Sequence, residues 1–153
     1  MEKKYKLTDE TIEVEGKALY RIEALKDFCE IKKGDKGGFI ESEDNLSHEG
    51  NAWVYDDACV YDNALVTDDA CVSDNARVYN DARLYDNSWV YDNACVYGTS
   101  CVYDDARVYG NARVYGTARV TDDACVCGTA RVCDNDWVYD HALCVWKRSN
   151  KNN

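Results

Sequence analysis

The sequence predicts an all-β protein, a parallel β-helix of about five coils carrying a small β-rich cap at its N-terminal end. Three observations predict it. Residues 51–146 divide without a gap into sixteen six-residue units, from Asn51-Ala52-Trp53-Val54-Tyr55-Asp56 onward. Within each unit the second position is Ala in thirteen cases (the exceptions are Ser88, Ser100 and Asp136) and the fourth is Val in fourteen (the exceptions are Leu84 and Cys144). Positions six and one, where successive units join, are almost all Asp, Asn, Gly or Thr.

Alternation of inward and outward positions with period two is the mark of a strand; a helix would space its apolar residues by three and four. Asp, Asn and Gly best tolerate the left-handed backbone of a tight corner, so a corner is expected after every unit. One six-residue unit with a small and a medium apolar side chain cannot bury its own inner face, so stability must come from stacking coil on coil. Three units close a triangular coil, and with strands about 4.7–4.9 Å apart the sixteen units form a rod roughly 25 Å long.

Residues 1–50 break the register. Tyr5-Lys6-Leu7, Thr11-Ile12-Glu13-Val14 and Ala18-Leu19-Tyr20-Arg21-Ile22 alternate like strands, with Glu15-Gly16 and Gly34-Asp35-Lys36-Gly37-Gly38 as turns. This segment is expected to cap the rod's open N-terminal edge, which would otherwise invite strand pairing between molecules. Residues 147–153, Lys-Arg-Ser-Asn-Lys-Asn-Asn, read as a disordered basic tail.

An aliphatic residue, two variable positions and a small residue, repeated every six, resembles the bacterial transferase hexapeptide-repeat family. That resemblance implies a left-handed β-helix; the general rule for crossover connections favours the right hand. The stretch GGFIESEDNLSHEGNAWV is similar to the opening of uncharacterised hexapeptide-repeat proteins of bacterial and phage genomes.

The net charge of −11 argues against nucleic acid or an anionic membrane as a direct partner and for a basic or neutral protein. The opening MEKKYKLTDETIEVEG has no apolar run of signal-peptide length, and no segment reaches the roughly 18 apolar residues of a membrane span, so a cytoplasmic protein with reduced thiols is expected. Nine cysteines contain no C-x-x-C pair, and the isolated Cys125-x-Cys127 is a poor zinc signature.

Stacking every third unit sorts the outward residues into columns. Tyr61, Tyr79, Tyr97 and Tyr115 should form a ring ladder beside Arg77 and Arg113, and Trp53 and Trp89 should stand on a second face. Exposed Tyr, Trp and Arg are typical anchors of protein interfaces, self-association included, so these residues are the expected binding surface of a homo-oligomer or a partner complex. At one corner Asp68, Asp69, Asp86, Asp104, Asp105, Asp122, Asp123 and Asp140 should make an acidic ridge that costs stability unless cations or a basic partner neutralise it. The corners lack the Gly-rich pattern of calcium-binding β-helices, so no metal and no cofactor are assigned.

The hexapeptide resemblance implies a catalytic His in its acyltransferases and three zinc-binding His in its anhydrases; with only His48 and His141 the second is excluded. His141, beside Asp140, is the one outside candidate for a general base. The unbroken register leaves no pocket-forming loop. Asp136 places a carboxylate in an inward slot, which suggests a loosely closed last coil. The expected function is non-catalytic surface recognition, with a phage-encoded inhibitor of a host protein as its concrete form. The alternatives are an acyltransferase-like trimer and a protein that sequesters a small nucleotide.

Overall fold

The computed structural model describes residues 2–139. The chain opens with a meander in which β1 (Tyr5–Val14) pairs antiparallel with β2 (Lys17–Ala24), and β2 pairs antiparallel with β3 (Lys36–Ile40). Glu15 and Gly16 both take positive φ, 52° and 80°, as a two-residue hairpin loop requires if its twist is to match that of the strands. Beyond β3 the direction of pairing changes. Phe39 and Ile40 run parallel to Cys59 and Val60, and after a 3-10 turn at Glu43–Asn45, Leu46 bridges to Val66 in parallel. The parallel stacking therefore begins before Asn51.

From there fifteen two-residue strands, one per six-residue unit, run from β4 (Trp53–Val54) to β18 (Trp137–Val138) among the described residues. Each pairs in parallel with the strand one coil on, as in Cys59↔Arg77 and Val60↔Val78. The strands fall into one eight-stranded sheet, which includes β1–β3, and two five-stranded sheets. The protein is thus an all-β parallel β-solenoid of about six turns, the cap residues supplying material for the first. Only positions three and four of each unit count as strand, because the chain turns at every sixth residue. The ladder is nonetheless continuous: Cys59 N donates to Ala76 O at 3.0 Å, Tyr61 N to Val78 O at 3.1 Å and Asn63 N to Asn80 O at 2.9 Å.

The inward slots behave as their residue types dictate. The Ala at position two and the Val at position four are sealed from solvent along the described rod, each Val contributing about 1.5–3 kcal/mol by leaving water. Ser88 and Ser100, which replace Ala, satisfy their hydroxyls by donating to Tyr85 O (2.9 Å) and Tyr97 O (2.7 Å). Asp136 is only half-buried, and its carboxylate accepts the Cys133 amide at 3.2 Å, so the inward slot does not hold an isolated charge. Among the described residues Cys29, Cys59, Cys71, Cys95, Cys101, Cys125 and Cys133 are free thiols.

The cap is fastened by polar side chains, of which Lys4 and Asn45 are fully buried. Lys4 is fully buried and donates to Ala52 O at 2.7 Å and Gly50 O at 3.3 Å, with its ammonium 4.9 Å from the Phe28 ring centre. Burial and the neighbouring Lys26 lower its pKa to about 8. Arg21 stacks on Phe39 at 4.2 Å and reaches Gly37 O (2.7 Å), Asp56 O (3.0 Å) and Asp57 Oδ1 (3.3 Å). The Asn45 amide joins Glu41 and Ser42, whose N–H groups it accepts, to Asp62 and Ala64, to whose carbonyls it donates.

Candidate functional site

Every position-six residue from Asp56 to Asp134 has positive φ, between 56° and 69°. Ten of the fourteen are Asp or Asn rather than Gly, and a second role explains why. Asp68 Oδ2 accepts the backbone amide of Asp86 at 3.0 Å, Asp86 accepts that of Asp104 at 3.1 Å, and Asp104 that of Asp122 at 3.0 Å. Each corner side chain thus caps the same corner of the next coil. Glu41, Asp62 and Asn80 do this along a second edge, ending on Gly98; Asp56, Asp74 and Asp92 do it along the third, ending on Gly110.

Asp68, Asp69, Asp86, Asp104, Asp105, Asp122 and Asp123 line one open groove with Gly50 and Asn87. Its hydrogen bonds offset part of the like-charge repulsion, but not all of it: loss of solvent and the Asp104 and Asp123 carboxylates together hold the Asp122 carboxyl above its ordinary range. Among the described residues no three of His, Cys, Asp and Glu converge as a metal site. Asp140 and His141 lie outside the described residues.

The tyrosine column stacks as a ladder. Ring centres are 5.1 Å apart for Tyr61–Tyr79, 4.9 Å for Tyr79–Tyr97 and 5.0 Å for Tyr97–Tyr115, with planes within 6° of parallel. Two shorter ladders, Tyr85–Tyr103 and Tyr91–Tyr109, share the 4.9 Å step. One end of the main column is not surface, however. Tyr61 is fully buried among Val14, Leu19, Phe39 and Cys59, because the cap hairpin lies across it. Among the described residues its hydroxyl has no hydrogen-bond partner, and burial raises its pKa strongly. Trp53 is likewise buried, with Phe28 and Tyr5 meeting it edge-on at 5.3 and 6.2 Å. The cap, which the residue pattern alone could not place in space, thus removes Tyr61 and Trp53 from the expected binding surface. Tyr79 is half-buried, with its hydroxyl pushed up to about 12 by burial; Arg77 and Arg113 are exposed, and the Tyr97 hydroxyl holds the Arg113 guanidinium above its ordinary value.

A diagonal rule governs the outer surface that column counting missed. The side chain at position three leans across position five of the preceding coil, sixteen residues back. Trp89 Nε1 donates to Ser73 Oγ at 3.0 Å and Trp137 Nε1 to Thr121 Oγ1 at 3.1 Å. The small hydroxyl residues Ser73 and Thr121, standing where other coils have Tyr, make room for the two indoles and receive their N–H groups. The signal was present in the sequence as two Trp each paired with a Ser or Thr at that spacing.

His48 is fully engaged in the cap. Its Nδ1 accepts the Lys4 amide at 3.0 Å, its Nε2 lies 2.8 Å from Glu43 Oε1, and its ring stacks on Tyr5 at 4.1 Å. The hydrogen bond to His48 is the chief reason the Glu43 carboxyl stays below its ordinary range. With one nitrogen accepting from backbone and the other bound to a carboxylate, this imidazole is a structural tie.

A further recess lies where the cap loop overhangs the rod. Cys29 and Glu30 from the loop face Tyr55, Cys71 and Trp89 across a cavity of about 490 Å³. Among the described residues no helix is long and apolar enough to cross a membrane. No curated protein matches the chain. Residues 70–86, 102–116 and 106–122 match the family model of the YdcK beta solenoid repeat, so over these coils the chain is similar to that repeat.

Proposed function

We propose that the protein is a non-catalytic, left-handed β-helix that acts by surface recognition of a basic protein, as a phage-encoded inhibitor would in the cytoplasm of a host. The observation that carries this reading is the composition of one edge. Seven of its eight corner residues from Asp68 to Asp123 are Asp, the exception being Asn87. Asn80 and Asp62 show that Asn and Asp cap the next coil equally well, so the charge is surplus to the turn. Rigid carboxylates at a repeat of about 5 Å suit a groove lined by Lys and Arg, and complementary charge governs encounter and specificity. Over the repeat, six Arg against sixteen Asp on a rod of roughly 25 Å give one net negative charge per about 2.5 Å, approaching the one per ~1.7 Å of duplex DNA.

The left hand in this proposal is what the hexapeptide-repeat resemblance implies. Self-association through the half-buried Tyr79, Tyr97 and Tyr115 and the exposed Trp89 belongs to the same proposal. The test uses the position-one residues, which do not cap the next coil. The variant Asp105→Asn/Asp123→Asn is compared with Asp57→Asn/Asp81→Asn, which removes equal charge from the other two edges. Each is used to capture basic proteins from bacterial lysate at low salt, with identification by mass spectrometry. A partner retained by the second variant and lost by the first supports recognition through the ridge; equal capture by both variants and the native chain refutes it.

A further inference from the structure

The recess beneath the cap loop combines features found together nowhere else among the described residues. Trp89 is one wall, 38% exposed, and its indole is fixed in place by the bond from Nε1 to Ser73. Tyr55 is another, its hydroxyl held by Glu30 Oε2 at 3.3 Å. Cys71, whose thiol burial pushes up to about 11, is a neutral, polarizable part of the lining. Carboxylates of Glu30, Asp56 and Asp74 stand around the opening, and no Lys or Arg lines it. At about 490 Å³ the space falls within the range of small-molecule sites rather than of bound water.

Two oriented aromatic rings, an apolar lining and a carboxylate rim together favour one class of ligand. A metal cation would need converging oxygen or thiolate ligands, whereas these carboxylates are spread around the opening. An anion would be repelled. A neutral apolar molecule would gain nothing from the rim. An alkylated ammonium ion uses all three features: its methyl groups contact the rings, its diffuse charge is attracted to their π-faces, and the rim supplies the long-range field. The Trp89 ring already receives one cation, the Arg107 guanidinium from the next coil, at 5.4 Å from its centre. We propose that this recess binds small organic ammonium ions, a site separate from the acidic ridge and standing whether or not the ridge has a partner.

The test titrates the full chain with tetramethylammonium chloride and follows the Trp89 indole N–H resonance, identified by its loss in Trp89→Leu. Sodium chloride at matched ionic strength and the neutral tert-butanol serve as comparisons. The expected result is a saturable shift with tetramethylammonium only, at millimolar affinity. Glu30→Gln keeps an acceptor for Tyr55 but removes a charge on an exposed loop, so it should weaken binding about threefold, and Trp89→Leu, read by calorimetry, about tenfold. Equal affinity for tert-butanol would show a merely apolar recess and overturn the proposal. So would the absence of a saturable shift in a protein whose other resonances are native, or unchanged affinity in Glu30→Gln together with Trp89→Leu.

Discussion

The edge built on Asp68, Asp86, Asp104 and Asp122 and the edge that runs from Asp62 and Asn80 to Gly98 and Gly116 turn the chain through the same left-handed backbone by different chemistry. On the first, Asp68, Asp86 and Asp104 each offer a carboxylate to the coil beyond. On the second, the capping passes from Asp to Asn and stops at Gly98, which has no side chain to give. A Cβ on Gly98 would come within 2.8 Å of Gly116 N, so the Gly pair packs backbone against backbone in the space where the Asp edge fits a carboxylate. Turn geometry accepts either solution, and charge is required by neither. The retention of Asp along one whole edge is therefore information about the surface rather than about the fold.

That separation can be broken most sharply at Asp104. Asp104→Ala loses the cap on Asp122 N, worth about 1 kcal/mol, and puts Ala at positive φ, about 1–2 kcal/mol more; a total loss of about 2–3 kcal/mol is expected in chemical denaturation. Asp104→Asn keeps both the acceptor and a tolerated left-handed backbone, so it should stay within about 0.5 kcal/mol of the native chain. If Asn were as damaging as Ala, the charge itself would be holding the corner, and the case for a surplus would fall.

Gly98→Ala probes the other edge. Here no cap is lost, but the new Cβ meets Gly116 N at 2.8 Å at a residue with φ of 69°, and the neighbouring atom is backbone that cannot swing aside. A loss of about 2 kcal/mol is expected, read as a lower denaturation midpoint with unchanged slope. A near-neutral result would mean that the Gly edge can relax to the spacing of the Asp edge.

These two edges also show why part of the molecule could be read from residue order and part could not. The inward slots, the corner residues and the 18-residue stacking follow from a period that repeats locally, so Ala52 or Val114 declares its place by position alone. In the units from Asp56 to Asp134 position six proved the one left-handed corner position among the described residues, where positions six and one together were the expected turn. What escaped were contacts between segments with no shared period. The cap hairpin lies over Tyr61, and Phe28 lies over Trp53, because a β-meander that breaks the register folds back on the first coils; no spacing rule connects Phe28 to Trp53. The recess between Cys29 and Trp89 arises from the same overhang.

The smallest expected effect concerns how protons read the Asp edge. The Asp122 carboxyl binds its proton more tightly in the folded chain than an ordinary carboxylate does, through loss of solvent and the charges of Asp104 and Asp123. A carboxylate with raised folded pKa favours the folded state while protonated. Its contribution is present at acid pH and is lost as pH rises from the ordinary carboxylate range through the folded value. Glu43, held low chiefly by His48, has the opposite slope: its contribution is present at neutral pH and is lost as pH falls through its own lowered value. Asp122→Asn should therefore raise the thermal midpoint at pH 7 relative to the native chain and leave it nearly unchanged at pH 3, the difference shrinking as salt is added because the site is exposed. A midpoint that fell at pH 7 would instead mean that the carboxylate stabilises the coils it joins, and the ridge would then be part of the scaffold rather than a charge kept for a partner.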